Sequence, residues 1–333
     1  MATDLLNTFR ISIEDYYRAN KRSLPWRKDE PVPYEVWLSE IILQQTRVAQ
    51  GTPYWEKILA AFPTVDALAN AEEDKLMSLW TGLGYYNRAR NLQKGAKQIV
   101  SEFGGVMPTT FDDLLTITGI GPYTAAAIAS ICFKEKVGVV DGNVYRVLSR
   151  FFGIATPINQ TAGIKEFQSL ANAIIQNTSD AALYNQGIME FGALHCTPKK
   201  PLCMMCDLAD ICSAFNEGKV DQLPVKIKKG KRGSEEIHYA IVRSSGSIAL
   251  RKRGTNGIWA GLYEPPRLQA APKKGEELTP AIVHKLSHKD LKCHFWAVDE
   301  AILDEPITYY TKDETADLGM PIIIANLVEN IKI

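Results

Sequence analysis

Residues 114–152, LLTITGIGPYTAAAIASICFKEKVGVVDGNVYRVLSRFF, limit the possible folds of this chain more than any other stretch. A short amphipathic turn (Leu114, Leu115, Ile117) runs into the bend Gly119-Ile120-Gly121-Pro122, and an alanine-rich helix over residues 123–133 follows. Two glycines one residue apart are expected to turn the backbone through positive φ. Pro122 suits the first helical turn, where no N–H is required. The free N–H groups of such a bend, at a helix N-terminus, form an anion site of the kind that takes a phosphate. Eighteen residues after Tyr123, Asp141-Gly142-Asn143 places an acid at the head of another helix.

Two carboxyls stand out, each with an ordinary alternative. Glu40 lies in WLSEIILQQT (37–46) among Leu38, Ile41, Ile42 and Leu43. Desolvation there would raise its pKa and keep it protonated, as a general acid must be. The alternative is a surface glutamate on an amphipathic helix. Asp141 is the complement: backbone N–H groups and the helix dipole would hold it ionised, suited to facing a developing cation. Its alternative is a plain N-cap, for which Asp is among the best residues. Two carboxyls whose surroundings push their pKa values apart form the pattern that splits glycosidic bonds.

Four of the six cysteines sit together as Cys196-x6-Cys203-x2-Cys206-x5-Cys212, which reads as a metal site and not as a disulfide framework. The spacing fits neither zinc ribbons nor zinc fingers, though thiolates suit both zinc and iron–sulfur centres. Cys132 and Cys293 read as small core residues.

At 333 residues the expectation is two domains. Helical periodicity fills residues 5–17, 36–49, 55–61, 66–79, 86–103 and 161–194, so the first domain, 1–215, is expected to be all-α. A polar, Lys-rich linker spans 216–235, and the period then becomes two. Strands are expected at 238–242, 247–251, 259–264 and 293–298, with one helix over 279–286, giving a smaller α+β domain at 236–333. Hydrophobic residues make up 46% and charged residues 23%, which excludes a disordered or membrane-dominated chain. Net charge is zero, yet basic residues gather at Arg18, Lys21, Arg22, Arg27 and Lys28, at Lys199 and Lys200, and over 226–232. The tail from Asp299 is mostly acidic. A local basic face is what a nucleic-acid binder needs. No run approaches the ~18 apolar residues of a membrane span, and the N-terminus lacks a signal-peptide pattern, so cytoplasmic residence, at the nucleoid, is expected.

The hairpin, its Gly/Pro loop and the following Asp resemble the helix-hairpin-helix motif of base-excision DNA glycosylases. LPWR (24–27), SEIILQQT (39–46), GLGYYNRARNL (82–92), GIGPYTA (119–125), VDGNVYRVLSR (140–150) and the cysteine loop together resemble the MutY-type adenine DNA glycosylases over about residues 5–300. The resemblance implies a multidomain protein: an all-α helix-hairpin-helix glycosylase domain with a [4Fe–4S] loop, and a Nudix-like C-terminal domain. By that similarity Glu40 is the general acid, Asp141 stabilises the sugar cation, and Tyr123 and Asn143 support them. Trp26, Arg27, Leu43, Val48 and Gln186 match the adenine pocket. Gln45 and Tyr85 match residues that enter the base stack, and Thr46 and Leu83 match contacts near an opposite 8-oxoguanine. Gly119 and Gly121 match the phosphate-binding hairpin. Cys196, Cys203, Cys206 and Cys212 match the ligands of the [4Fe–4S] cluster.

Related glycosylase-lyases carry a lysine where this chain has Tyr123, so a monofunctional hydrolase acting on duplex DNA, as a monomer, is implied. The implied substrate is adenine opposite 8-oxoguanine or guanine; the alternative is a thymine or oxidised-pyrimidine glycosylase on the same scaffold. Ser287 and His288 match the loop that reads 8-oxoguanine, with Leu286 in place of the usual aromatic. Only Glu276 and Glu277 remain of the carboxylates a Nudix pyrophosphatase needs, so that activity is not expected.

Overall fold

The computed structural model describes residues 2–227, 233–300, 303 and 307–331; positions 228–232 of the basic run therefore lie outside the described residues. Twelve helices come first: α1 (Ala2–Asn20), α2 (Pro33–Leu43), α3 (Val48–Ala61), α4 (Val65–Ala69), α5 (Glu73–Trp80), α6 (Asn87–Phe103), α7 (Phe111–Thr116), α8 (Pro122–Phe133), α9 (Gly142–Phe152), α10 (Thr161–Ile175), α11 (Ala181–Leu194) and α12 (Ser213–Asn216). Strands follow: β1 (Gly233–Ile241), β2 (Arg243–Ser244), β3 (Ser247–Lys252), β4 (Tyr263–Glu264), β5 (Arg267–Leu268), β6 (Glu276–Glu277), β7 (Ile282–Lys285), β8 (Lys289–Ala297) and β9 (Thr308–Thr311), then α13 (Lys312–Thr315) and α14 (Ile322–Asn330).

These elements form two compact units. One comprises Met1–Val48, Thr64–Ala69 and Lys94–Lys228; the other comprises Ala49–Pro63, Asn70–Gln93 and Lys229–Ile333. The division expected at residue 215 differs, because two helical segments of the N-terminal part join the second unit. Periodicity reveals that a helix has an apolar face but not which partner that face covers.

In the first unit α8 is the buried axis. Thr124 to Ile131 are all buried, and α2, α7 and α11 pack around them. Small side chains let those neighbours approach closely, and Gly192 likewise lets α11 approach α9, since a Cβ there would lie 2.7 Å from the Asn143 side chain. The hairpin forms as expected with one correction. Gly119 takes φ 87°, but Gly121 is extended at φ −94° and caps α8. Gly121 is not needed for its backbone angle. A Cβ there would meet nothing within 4 Å, so the protein itself leaves that space open.

The second unit carries two sheets. In one the order is β5-β1-β8-β6, with β7 also on β8; β1 and β8 are parallel and the other pairs antiparallel. In the other, β2-β3-β4 is extended by β9 on β3. Alternation buries Ile237, Tyr239, Ile241, Leu291, Cys293 and Phe295 on one face of the β1–β8 pair. The helix expected over 279–286 is absent, and β7 occupies that segment. Ile282 and Val283 are both exposed there, so no buried face imposed a readable period.

Candidate active site

Residues from α2, α8, α9, α11 and the preceding loops line one cavity of about 830 Å³ in the helical unit. It contains Glu40, Tyr123, Asp141 and Asn143, with Trp26, Arg27, Leu43, Gln45, Thr46, Val48 and Gln186. Four stretches scattered in the sequence therefore converge on one space. Gln44 and Gln45, a pair that would ordinarily face solvent, also line it, and Gln45 adopts a left-handed φ of 58°.

Glu40 reaches the cavity from a helix whose neighbouring Ile41 and Ile42 are buried. The Tyr123 hydroxyl donates to Glu40 Oε2 at 2.6 Å and also lies 3.2 Å from Met189 Sδ. Burial pushes the Glu40 carboxyl up to about 7; Asp141 adds to the rise, while the Tyr123 bond and Arg27 oppose it. Burial and the two nearby acids hold the Tyr123 phenol far above its ordinary range, so it acts as a neutral donor.

Asp141 caps α9. Its Oδ1 accepts from the backbone N–H of Asn143 and Val144, both at 2.8 Å, and its Oδ2 accepts from Asn143 Nδ2 at 2.8 Å. Arg146 Nη2 donates to Asn143 Oδ1 at 2.9 Å, and Arg146 Nε to the Cys196 carbonyl at 2.7 Å. The sequence expectation is that backbone N–H groups and the helix start keep Asp141 ionised, and opposing influences act on it here. Burial raises it, and the hydrogen bonds from Val144 and Asn143, with Arg146, only partly compensate. The two acids still differ: both are raised by burial, but only Asp141 has three donors on its anionic form.

Sequence reasoning missed Glu190. It is 1% exposed and accepts from Arg22 N, Nε and Nη2 at 2.6–2.9 Å, and from Arg27 Nη1 and Nη2 at 3.0 and 2.9 Å. Burial would raise its pKa, yet these bonds win and hold it at about 2. Arg27 is thereby fixed, with its guanidinium 5.4 Å over the Tyr17 ring, and Tyr17 donates to Gln186 Oε1 at 3.1 Å. A lone Glu between Ile188, Met189 and Phe191 was the available clue.

The remaining sequence candidates lie elsewhere. Gly119 and Gly121 are exposed at the hairpin tip. Leu83, Tyr85, Ser287 and His288 line a second cleft, of about 810 Å³, within the other unit. Trp259 and His284, which the sequence did not suggest, share it with ring centroids 5.5 Å apart. Cys196, Cys203, Cys206 and Cys212 line a small apolar pocket with Phe9, Phe151, Phe191 and Leu208, and Arg150 Nη1 approaches Cys196 Sγ at 3.5 Å. Burial and neighbouring thiolates raise Cys203, Cys206 (to about 11) and Cys212. Among the described residues no group of three or more His, Cys, Asp or Glu converges to hold a single metal ion.

Residues 38–172 match the HhH-GPD superfamily of base excision DNA repair proteins, and residues 238–330 match a NUDIX domain. An adenine DNA glycosylase of Buchnera aphidicola is 32% identical, over 97% of this chain and 99% of its own length. The chain belongs to the adenine DNA glycosylase family. The human adenine DNA glycosylase is 41% identical over 66% of this chain, which spans 41% of that longer protein. Among solved structures, a thermostable thymine-DNA glycosylase superposes with a TM-score of 0.60 at 26% identity, covering 65% of this chain and 99% of that one. An endonuclease III–DNA complex (TM-score 0.54, 20% identity, 64% and 97% covered) shares the fold. In this adenine DNA glycosylase family member, the NUDIX match lies on the sheet-bearing part and the HhH-GPD match on the part holding Glu40, Tyr123 and Asp141.

Proposed function

We propose that the protein is a monofunctional hydrolase, acting as a monomer, that removes adenine mispaired with 8-oxoguanine or guanine from duplex DNA. One observation carries the reading: a carboxyl raised to about 7 and a second, three-fold hydrogen-bonded carboxyl line the same cavity. Protonated Glu40 donates its proton to a ring nitrogen of the extruded adenine. The C1′–N9 bond then breaks with its electron pair passing to the base, and the Asp141 carboxylate faces the cationic sugar. Water adds to C1′ and gives its proton to the Glu40 carboxylate, which restores the acid. Tyr123 orients Glu40, and Asn143 orients Asp141. With a phenol at position 123 there is no amine there to form a Schiff base, so the product is an intact strand with an abasic site.

Arg27, Trp26, Leu43, Val48 and Gln186 would bound the adenine, with Glu190 locking Arg27. Gln45 and Tyr85 would enter the stack, and Thr46, Leu83, Ser287 and His288 would contact the opposite base. Gly119 and Gly121 would present backbone N–H groups to a phosphate. The open space beside Gly121 favours this, since a methyl group there would stand where the phosphate must come.

The four cysteines would hold a [4Fe–4S] cluster. Their four thiols line one small apolar pocket and would ligate the cluster as thiolates. Bound, the cluster would order the Lys199-Lys200 loop. The likeness to a thymine-DNA glycosylase covers 65% of this chain, whereas that to an adenine DNA glycosylase of Buchnera aphidicola covers 97%, which favours adenine over thymine as the base removed. No helix among the described residues is long and apolar enough to cross a membrane, in keeping with a nucleoid enzyme of the cytoplasm.

The test uses three duplexes, carrying A opposite 8-oxoguanine, T opposite G, and an oxidised pyrimidine. Cleavage of the first alone, and only after alkali, is expected. Strand scission without alkali would overturn the monofunctional assignment, and activity on the second or third duplex the substrate assignment.

A further inference from the structure

The loop joining α5 to α6 contains three left-handed residues in four: Gly82 at φ 100°, Gly84 at 70° and Tyr85 at 49°. Glycine tolerates this, but a bulky side chain at positive φ is an outlier. Such a residue persists only where its surroundings over-determine it, and it marks sites where the strain is used. Tyr85 is also 48% exposed, while Tyr86 beside it is buried with its hydroxyl donating to the Met320 carbonyl at 2.8 Å.

The over-determination has identifiable parts. Tyr54 donates to the Thr81 carbonyl at 2.9 Å, and Trp80 Nε1 to the Gly84 carbonyl at 3.1 Å. Arg88 does the most. Its Nη2 donates to the carbonyls of Leu83 (3.3 Å) and Gly84 (3.2 Å), its backbone N–H donates to Tyr85 O at 2.8 Å, and its guanidinium lies 5.4 Å over the Trp80 ring and 5.7 Å over the Tyr85 ring. Burial lowers its pKa only to about 10, so the cation survives at neutral pH.

We infer that Arg88 is a positioning residue for base extrusion: by gripping two loop carbonyls and stacking on Trp80 and Tyr85, it holds Tyr85 in the strained, projecting posture from which the ring enters the duplex. The inference rests on the proposed glycosylase reading and on Tyr85 as the wedge. Arginine suits the task because its planar fork bonds and stacks at once, which an ammonium cannot do.

The experiment compares single-turnover adenine release from two substrates. One is a duplex with A opposite 8-oxoguanine; the other is a bubble in which that adenine and its neighbours are already unpaired, so that extrusion costs little. Arg88→Met is expected to slow the duplex roughly ten-fold, a fraction of the extrusion cost. It should leave the bubble within about two-fold, as expected for a residue that lines no part of the Glu40 cavity and shares no partner with its acids. Arg88→Lys should behave like Arg88→Met, and adding Arg88→Met to Tyr85→Ala should cost nothing further on the duplex. Equal losses on both substrates would mean a merely structural role and overturn the inference, as would full rescue by lysine. If Tyr85→Ala itself shows no duplex-specific loss, the wedge reading fails. If Tyr85→Ala shows that loss and Arg88→Met does not, only the role of Arg88 fails.

Discussion

The cavity around Glu40 and the cleft around Ser287 are nearly equal in size but are built by different means. In the cavity, regular elements do the positioning: Asp141 is a helix cap, Tyr123 stands on the first turn of a buried helix, and Glu190 accepts five hydrogen bonds. The cleft is lined by irregular backbone. Left-handed residues recur at Gly82, Gly84 and Tyr85, and again at Gly257, Trp259 and Gly261, with aromatic rings between them. Chemistry on a sugar needs protonation states that do not wander, and paired, buried groups supply them. On the proposed reading the cleft would meet the opposite base, which needs surfaces that project, and loops supply those at the cost of backbone strain.

The sharpest way to break this contrast is to neutralise the cavity's acids. Glu40→Gln and Asp141→Asn should each lower single-turnover release by about 10²–10⁴-fold while DNA binding persists. A near-normal rate in either variant would refute its assigned role. The same acid predicts a pH signature: release should fall as pH rises through about 7, where Glu40 loses its proton. Stability follows the same group. Its folded pKa is raised, so the folded state holds more protons than the unfolded one between about 4.5 and 7, and stability falls with pH across that window. Glu40→Gln should therefore be more stable than wild type above pH 7, with the gap closing below about 4.5; urea titrations at pH 4.5 and 8 check this.

Glu190→Gln tests whether the cavity depends on paired charge. It strands Arg22 and Arg27, and losing one partner of such a buried set costs roughly 3–5 kcal/mol. Urea midpoints would measure it, and an unchanged midpoint would show that the guanidinium groups find other partners. Ser287→Ala addresses the cleft and should reduce the preference for 8-oxoguanine over guanine by roughly five-fold, the worth of about one hydrogen bond. Competition binding with an uncleavable adenine analogue reads that ratio. The smallest effect is expected from Gly121→Ala, a roughly two-fold loss of DNA affinity, about 0.5 kcal/mol, with no shift in melting temperature. A lower melting temperature there would mean that the space beside Gly121 belongs to the fold after all.

Sequence reading went furthest where function sits in contiguous motifs. Glu40 in its apolar run, Asp141 before a helix and the Gly119–Pro122 bend were all legible because local chemistry is encoded within a few residues. The residues lining the Glu40 cavity could be proposed only through resemblance, since no periodicity connects Trp26 with Gln186. Glu190 escaped because its meaning depends on two arginines 163 and 168 positions away. Asp141 is legible with its helix-start partners, but the depth of burial that opposes them is not visible in the sequence. The sequence puts Trp259 at the start of a strand over 259–264, but β4 covers only Tyr263–Glu264 and Trp259 is left-handed at φ 57°. The strand β7 was missed because exposed backbone leaves no regular hydrophobic pattern.

One consequence follows from the alanines of α8. A helix that buries a run of alanine methyl groups between its neighbours has little slack, so its backbone sets where the Tyr123 ring starts and the bond to Glu40 fixes where the hydroxyl ends. Enlarging any of those methyls would move Tyr123 bodily, as a swollen shaft tilts the tool at its end. Harm should thus reach the Glu40 carboxyl from substitutions at positions that line no part of its cavity.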